Sequence, residues 1–288
     1  MHKPEGKTSF EALRPIKKRV QAKKVGHAGT LDRFASGLLL VLCGQFTRLN
    51  ALFEGLDKSY SAVIRFGTET DTLDPSGDIT RRCPLPSRAA VEAALPRFYG
   101  SIEQTPPAYS AVHVGGRRAY HIAREGGQVQ LQPRAVRIDD LRLRDFDGER
   151  LSLELTCSKG TYVRSLARDL GEACGSCAHV EELSRTRIGP FTLEEAVSAA
   201  DFDPDRDLIP PESVFSRLDQ IETHTLLPDS EHRVLHGQPM QDRFLQAPPQ
   251  EDGLYALFST EGRFVAVVQR QAARYSYRMV ASQDRVHR

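Results

Sequence analysis

A single stretch, residues 24–44, constrains the fold of this chain more than any other. It opens with a glycine-bearing loop that carries His27 and then Asp32. An uninterrupted apolar run follows over residues 38–43 and ends at a glycine. An apolar run bounded by glycines predicts a strand that is buried on both faces. Asp32 therefore lies in a turn before a core strand, where a rigid scaffold can present a carboxylate to a ligand.

Length and charge set broader limits. At 288 residues the chain exceeds one average domain, so we expect one large domain and one small one. The 39 lysines and arginines nearly cancel the 38 aspartates and glutamates, which argues against a globally basic nucleic-acid binder. The cations are concentrated in residues 3–24 and 117–137, and the acids in residues 201–207. Local basic faces of this kind suit contact with RNA by one side of the molecule.

Membrane, secreted and metal-binding classes lack support in the sequence. No apolar run reaches membrane-spanning length and no signal peptide is visible, so we expect a cytoplasmic protein without membrane contact. Five scattered cysteines do not form a disulfide framework. Cys174, Cys177 and His179 resemble metal ligands, but a structural zinc site needs four ligands and no second pair is near. We therefore expect reduced cysteines packed at a helix end, and no metal.

Periodicity predicts several strands and one helix. Alternation over residues 58–66 and 151–157 predicts two strands, the first with Tyr60 on its apolar face. Residues 47–56 place apolar side chains at helical spacing. Residues 254–268 predict a hairpin with a glycine in its turn. Taken alone, Tyr60 would be a strand tyrosine packed on the core.

Two further helices are indicated by residues suited to cap them. Ser9 and Thr161 can each cap a helix that begins after it. Pro15 should kink or restart the first helix, because proline lacks a backbone N–H. The second helix would carry Arg164 in its first turn, where it would pass for a surface arginine. Turn residues over 68–78 predict a solvated loop, although its acids could suggest a cation site.

Several motifs, in order, resemble those of the TruB-type tRNA pseudouridine synthases. They are K-P-E-G-K-T-S at 3–9, G-H-A-G-T-L-D at 26–32, K-S-Y at 58–60, Q-T-P-P-A-Y-S-A at 104–111, S-K-G-T-Y-V-R at 158–164 and the leucine-arginine motif of 178–189. Their order and spacing argue against a chance match, whereas any one motif alone would be weak. Two residues depart from the family pattern: Ala28 stands where threonine is usual, and Arg33 where proline is usual. Arg33 removes a rigid turn element and adds a cation beside the aspartate.

The resemblance implies roles for the residues of these motifs. Asp32 would be the nucleophile and Arg164 would pair with it, since a neighbouring arginine favours the ionised form of a carboxylate. Tyr60 would stack on the target uracil, and Tyr162 and Leu183 would complete its pocket. Without the resemblance, Leu183 would be assigned to the core.

The resemblance also implies a substrate. The family converts the T-loop uridine of tRNA, position 55 in standard tRNA numbering, into pseudouridine. Because that base is buried in folded tRNA, it must be flipped out, and pocket contacts must offset the lost stacking. His27 would stack into the vacated loop, although alone it would be a loop histidine making a local hydrogen bond. The expected partner is the T-arm stem-loop of tRNA.

The implied fold is α+β, with a mixed, mainly antiparallel sheet flanked by helices and a small β-rich, PUA-like domain at the C-terminus. We expect the catalytic domain over residues 1–200, with a thumb-like insertion at about 115–137. A linker over residues 201–213 would lead to an RNA-binding domain over residues 214–288. No oligomer interface is visible in the sequence, and we expect a monomer.

Two alternatives remain open from the sequence. In a non-catalytic RNA-binding or RNA-folding protein, Asp32 would only stabilise its turn. A guide-RNA-dependent relative would share the motifs but act inside a ribonucleoprotein; the compact tail and the basic insertion favour the stand-alone type. Since the reaction is a redox-neutral isomerisation, we expect no cofactor.

Overall fold

The computed structural model describes residues 1–281 apart from Ala111, Gly115, Gly126, Gln128 and Val129. Within that part of the chain, no helix is long and apolar enough to cross a membrane. The strands are β1 (His2–Lys3), β2 (Val25–Ala28), β3 (Ser36–Leu38), β4 (Leu40–Cys43), β5 (Lys58–Phe66), β6 (Thr68–Thr70), β7 (Ile79–Arg82), β8 (Gly100–Gln104), β9 (His113–Val114), β10 (Arg117–Arg118), β11 (Arg134–Phe146), β12 (Arg150–Cys157), β13 (Ala178–Ile188), β14 (Phe191–Thr192), β15 (Ile221–Thr225), β16 (Gly253–Phe258), β17 (Phe264–Gln271) and β18 (Arg274–Val280).

The two longest helices in the described part of the chain each have 11 residues. The α-helices are α1 (Ser9–Arg19), α2 (Asn50–Glu54), α3 (Arg88–Ala94), α4 (Ala119–Arg124), α5 (Val163–Ala173), α6 (Pro204–Asp207), α7 (Pro211–Phe215) and α8 (Glu231–Leu235). Short 3₁₀ segments span Gly44–Leu49, Leu95–Phe98, Leu193–Glu195, Pro228–Ser230 and Asp242–Phe244.

The main sheet has eight strands in the order β1-β3-β13-β5-β12-β11-β8, with β14 added beside β13. All its pairings are antiparallel except that of β13 with β3. This confirms the α+β prediction with a mixed, mainly antiparallel sheet. The alternation of β5 is also confirmed, because Tyr60, Ala62, Ile64 and Phe66 are buried.

Helix α5 packs its apolar stripe on this sheet. Val163, Leu166, Ala167 and Leu170 are buried in the same core cluster as the inward residues of β5 and β12. The predicted cap at Thr161 was wrong: Tyr162 is the N-cap residue and its side chain makes no capping hydrogen bond. The helix therefore begins one residue later, and its first turn is positioned by sheet packing.

Helix α1 runs through Pro15 without interruption, contrary to the predicted kink or restart. Its N-cap is Thr8 and not Ser9, because the Thr8 hydroxyl accepts from the Glu11 N–H and the Glu11 carboxylate accepts from the Thr8 N–H. Ser9 instead bonds to the backbone of Leu31 through its hydroxyl, at 3.0 and 3.1 Å. The start of α1 is thereby tied to the loop that carries Asp32.

The apolar run at 38–43 does not form one strand buried on both faces. It is divided at Leu39 between β3, which lies in the main sheet, and β4, which pairs with β2. Leu40, Val41 and Cys43 are only partly buried. The chain changes sheets here because β3 is only three residues long and β4 pairs back on the strand that carries His27. The predicted helical segment at 47–56 is present as a 3₁₀ segment followed by α2.

The C-terminal part is a four-stranded sheet in the order β15-β16-β17-β18. The predicted hairpin is β16–β17, and its turn contains Gly262. The small β-rich C-terminal domain is therefore confirmed. Phe215 and Phe258 share a core cluster with Leu42 and Phe53, so this domain packs directly on the elements near the Asp32 loop. The domain boundaries at residues 200 and 214 remain predictions.

The pairing of the cysteines differs from the predicted one. Cys83, which follows β7, and Cys177, which precedes β13, form a disulfide bond with a Cα–Cα distance of 5.7 Å. The prediction that Cys177 is reduced was therefore wrong. The two residues are 94 positions apart, and no local spacing pattern pairs them. Cys43, Cys157 and Cys174 are free.

The predicted thumb-like insertion at 115–137 lies partly outside the described residues, at Gly115, Gly126, Gln128 and Val129. Its described part contains the short helix α4 and a 2.7 Å ion pair between Arg117 and Glu125. The thumb-like role of this segment and its contact with RNA remain predictions.

Candidate active site

Asp32 lies in the connection between β2 and β3. Its carbonyl accepts a 3.2 Å hydrogen bond from the Ala35 N–H, which closes the turn. The carboxylate is 37% exposed, so it faces solvent at the mouth of the site while its backbone is held by the scaffold. Asp32 thus has the accessibility that a nucleophile requires.

Arg164 lies in the first turn of α5, as predicted, and its guanidinium reaches Asp32. Its Nε lies 2.9 Å from Asp32 Oδ2, and its side chain is only 6% exposed. The Nε–H is not directed at the carboxylate, so the contact is an ion pair and not a linear hydrogen bond. Two backbone carbonyls, Thr72 O at 2.8 Å and Tyr109 O at 3.0 Å, fix the Nη1 and Nη2 groups.

Tyr60 and Leu183 are buried side chains of the sheet core, and the charge of Asp32 acts on the Tyr60 hydroxyl. They lie on the neighbouring strands β5 and β13, and both belong to the core cluster that includes Leu31. Burial raises the pKa of the Tyr60 hydroxyl, against a smaller opposing effect from Arg185. Tyr60 therefore remains a neutral aromatic ring at physiological pH.

Tyr162 also lies near the ion pair between Asp32 and Arg164. Its backbone N–H donates to Gln104 Oε1 at 2.7 Å, which orients the residue before α5 begins. Burial raises the pKa of its hydroxyl, and the charges of Arg164 and Asp32 both act on it. The structure therefore places Tyr162 within electrostatic reach of the ion pair.

His27 lies on β2, opposite Val41 of β4 and directly before the loop that carries Asp32. Burial lowers the pKa of its imidazole, so the ring is neutral at physiological pH. Its ring packs edge-to-face on Phe10 of α1, with 5.2 Å between centroids. The structure therefore pairs Asp32 with Arg164 and places Tyr60 and Tyr162 within electrostatic reach of Asp32. Leu183 shares the core cluster of Tyr60, and His27 packs on Phe10.

Comparison with known proteins identifies the family. Residues 17–163 match the TruB family pseudouridylate synthase (N terminal domain), and residues 164–206 match the tRNA pseudouridylate synthase B C-terminal domain. The chain belongs to the TruB family of pseudouridylate synthases. As a TruB family member it is an enzyme, a pseudouridine synthase.

Individual relatives support the TruB assignment. The tRNA pseudouridine synthase B of Borreliella burgdorferi (strain ZS7) is 48% identical over 199 residues, which cover 68% of this chain and 71% of that protein. The protein of the same name from Bordetella avium (strain 197N) is 44% identical over 202 residues, covering 69% of this chain and 83% of that protein.

A solved structure supports the fold. The chain matches a chain of an H/ACA RNP bound to a substrate RNA containing 2'-deoxyuridine, with a TM-score of 0.73 and 21% identity. The match covers 98% of this chain and 84% of the other, so the likeness extends to the C-terminal sheet.

One partner of Arg164, Asp74, was not predicted from the sequence. Asp74 was assigned to a solvated loop, but its side chain is only 7% exposed and lies 3.4 Å from Arg164 Nη1. The Thr72 hydroxyl and the Ser76 N–H hold its Oδ1 at 2.8 and 2.9 Å. Asp74 is buried because the hairpin β6–β7 closes over α5, and a local turn pattern cannot show such a contact.

A buried arginine, Arg185, holds both ends of the Asp32 loop by hydrogen bonds to backbone carbonyls. Arg185 on β13 is 1% exposed and donates to the carbonyls of Gly29 and Leu38, at 3.1 and 2.8 Å. These carbonyls lie on either side of Asp32, so one side chain joins both ends of the loop. Gly37 permits this approach: it has φ +113°, and a Cβ there would clash with the Arg185 backbone.

A buried lysine holds the N-terminal side of the loop. Lys3 is fully buried, and its Nζ donates to the carbonyls of Lys7 and Ala35 at 2.7 and 2.6 Å. Burial lowers the pKa of this ammonium group to about 8. Arg33, the residue that departs from the family pattern, is exposed and donates from its Nε to the Gly6 carbonyl at 2.9 Å. Arg33 thus ties the loop to the residues before α1.

Proposed function

We propose that this TruB family enzyme converts the T-loop uridine at position 55 of tRNA into pseudouridine, with Asp32 as the nucleophile. The observation that carries the proposal is the ion pair between the exposed Asp32 carboxylate and the buried Arg164, 2.9 Å apart. The charge of Asp32 also acts on the hydroxyls of Tyr60 and Tyr162, so both aromatic rings lie near the ion pair. The relatives named tRNA pseudouridine synthase B support tRNA as the substrate.

The RNA must present its target base outside the stack. A uracil flipped from the T-loop would stack on Tyr60 and contact Leu183 and Tyr162, and these contacts would offset the cost of unstacking. His27 is neutral and lies on β2, directly before the Asp32 loop, so it would stack in the space that the base leaves. Stacking of an aromatic ring on a base contributes about 1–3 kcal/mol.

The chemistry is an isomerisation within one nucleotide. The bond between uracil N1 and the sugar C1′ breaks, the uracil rotates, and its C5 bonds to C1′ while the C5 hydrogen leaves and N1 gains a proton. Asp32 promotes the first bond cleavage as a nucleophile. Arg164, held by two backbone carbonyls, fixes the carboxylate in position before the substrate arrives. Closure of the pocket over the base would retain the detached uracil and exclude water.

Contacts outside the pocket would supply most of the RNA affinity. The thumb-like segment at 115–137, within a catalytic domain over residues 1–200, is basic and leads into β11 of the main sheet. The C-terminal domain over residues 214–288, after a linker over 201–213, would bind RNA as a second surface. Phosphate contacts by such basic segments add affinity that falls with salt.

The test maps pseudouridine in a tRNA transcript after incubation with the full chain and no other RNA. Carbodiimide modification followed by primer extension should stop at position 55, and a transcript with cytidine there should show no stop. Pseudouridine at another position would overturn the T-loop assignment. Binding without any pseudouridine would favour the non-catalytic RNA-binding protein, and activity only with an added guide RNA would favour the guide-dependent type.

A further inference from the structure

Phe10 is the most exposed large hydrophobic residue in the described part of the chain, at 72%. Single exposed hydrophobic residues are common on protein surfaces, so exposure alone does not indicate a function. The position of Phe10 is what distinguishes it. It is the second residue of α1, directly after Ser9, whose hydroxyl is bonded to the backbone of Leu31 beside Asp32. The backbone that carries Phe10 is therefore tied to the loop that carries Asp32.

The ring is also held by His27. The two rings pack edge-to-face at 69°, with 5.2 Å between their centroids. Since an edge-to-face contact occupies only part of an aromatic surface, the exposed surface of Phe10 remains accessible to a ligand. That surface lies next to the residue proposed to enter the T-loop.

Two cationic residues lie on the same side of α1 as Phe10 and can bind RNA phosphates. Arg14 and Lys17 follow Phe10 at the i+4 and i+7 positions, so the three residues share one face of the helix. Arg14 and Lys17 are exposed, whereas Ala12, Leu13 and Ile16 on the opposite face are buried. We call Phe10, Arg14 and Lys17 the outer face of α1. An aromatic ring followed by cations is the arrangement that binds single-stranded nucleic acid.

We propose that Phe10 stacks on an unpaired base of the RNA loop next to the flipped uridine, while Arg14 and Lys17 contact its phosphates. The proposal rests on the proposed function, because it places an RNA loop at the Asp32 pocket. Proteins recognise RNA loops by stacking unpaired bases on aromatic side chains. The charge of the outer face disfavours an apolar protein partner at this position and matches the phosphate backbone.

The test measures the dissociation constant of a T-arm stem-loop RNA in the Asp32→Asn background, where turnover cannot alter the RNA. Phe10→Ala should weaken binding by about 5- to 140-fold, which is 1–3 kcal/mol at 1.4 kcal/mol per tenfold. Phe10→Trp should bind within about twofold of the parent, since every aromatic ring offers a stacking surface. A fully paired RNA duplex with the sequence of the stem, which has no unpaired bases, should bind equally to the parent and to Phe10→Ala.

Controls separate stacking from other roles. Tyr99→Ala removes another exposed aromatic residue, 59% exposed and located before β8 at the far edge of the sheet, and should leave binding unchanged. Phe10→Leu retains apolar bulk against His27 but lacks a stacking surface. Arg14→Ala and Lys17→Ala should each reduce the salt slope of binding by about 1. Thermal unfolding of each variant verifies that it is folded.

The outcomes distinguish this proposal from the proposed function. If Phe10→Ala or Phe10→Leu binds the stem-loop as tightly as the parent, base stacking on Phe10 is overturned, and pseudouridine formation by wild type still stands. If wild type binds and Phe10→Ala weakens binding but no pseudouridine forms, the enzyme assignment for tRNA fails while Phe10 remains an RNA contact. If wild type does not bind the stem-loop, both proposals fail.

Discussion

The carboxylate of Asp74 lies 3.4 Å from Nη1 of Arg164, and both side chains are almost completely buried. The same guanidinium contacts Asp32, whose carboxylate is 37% exposed. One arginine thus joins a buried acid to an accessible one. Because a buried arginine without its partners would be costly, the hairpin that carries Asp74 and the loop that carries Asp32 stabilise each other through it.

Asp74→Asn should lower kcat by about 10²-fold with a smaller change in KM, because Arg164 loses a partner that holds it against Asp32. Single-turnover pseudouridine formation measures the chemical step directly. Asp78→Asn, which changes a more exposed acid on the same loop, serves as the matched control and should retain activity. A kcat for Asp74→Asn within about threefold of wild type would contradict a positioning role.

Much of this site could be predicted from the sequence because its parts are local motifs. Alternation placed Tyr60 on the inner face of β5. The predicted cap at Thr161, one residue before the actual N-cap Tyr162, was close enough to place Arg164 in the first turn of α5. Asp74 could not be predicted in the same way, because its burial depends on a hairpin that folds over a helix remote in the sequence, the helix that carries Arg164. A turn-rich sequence looks solvated whether or not another element covers it.

Two further differences between the sequence-based prediction and the structure also arise from contacts between remote parts of the chain. The apolar run at 38–43 predicted one strand, but the chain changes sheet at Leu39. The change is set by the strand partners: β3 pairs with β13, which is remote in sequence, and β4 pairs with β2, which lies on the other side of the Asp32 loop. Cys83 and Cys177 pair across 94 residues. Hydrophobic periodicity predicts which face of a helix or strand is apolar, but it does not predict which other element packs on that face.

Arg33→Pro should retain activity within a few-fold of wild type. The Arg33 N–H donates to no backbone acceptor among the described residues, so proline would remove no backbone hydrogen bond. Arg33→Ala removes the contact from Nε to the Gly6 carbonyl and should lower the free energy of unfolding by about 0.5–1.5 kcal/mol. Urea denaturation and tRNA assays on both variants check this. An inactive Arg33→Ala with unchanged stability would instead assign Arg33 a direct part in the reaction.

Stability should rise with pH between about 8 and 10 because of two buried lysines. Burial lowers the pKa of both Lys3 and Lys58 to about 8. Lysine in an unfolded chain titrates near 10.4, so in this interval the unfolded state binds more protons than the folded state. Removing protons from solution therefore destabilises the unfolded state relative to the folded one. The free energy of unfolding increases with pH, by at most about 1.4 kcal/mol per pH unit for each lysine.

Comparing the pH dependence of the free energy of unfolding in wild type and Lys3→Met isolates the contribution of Lys3. Urea denaturation at several pH values should show a smaller rise for Lys3→Met, and the exposed Lys159→Met should keep the wild-type rise. An equal rise in wild type and Lys3→Met would show that Lys3 remains protonated in the folded state throughout this interval.

The disulfide predicts a thiol count. Of five cysteines, Cys43, Cys157 and Cys174 are free, so alkylation of the denatured chain without reductant should label three residues, and all five after reduction. Cys83→Ser should lower the free energy of unfolding by about 2–4 kcal/mol, and Cys43→Ser should not share this loss. Five labelled cysteines without reductant would contradict the pairing with Cys177.

The most direct measurement of the central claim is tritium release from 5-tritiated uridine in a T-arm stem-loop, with Asp32→Asn compared to wild type. Asp140→Asn is the matched control, because Asp140 is 38% exposed and also pairs with an arginine, Arg142, but on the surface. Wild type and Asp140→Asn should release tritium, while Asp32→Asn should bind the RNA with similar affinity and release none above background. Release by Asp32→Asn at the wild-type rate would contradict the assignment of Asp32 as the nucleophile.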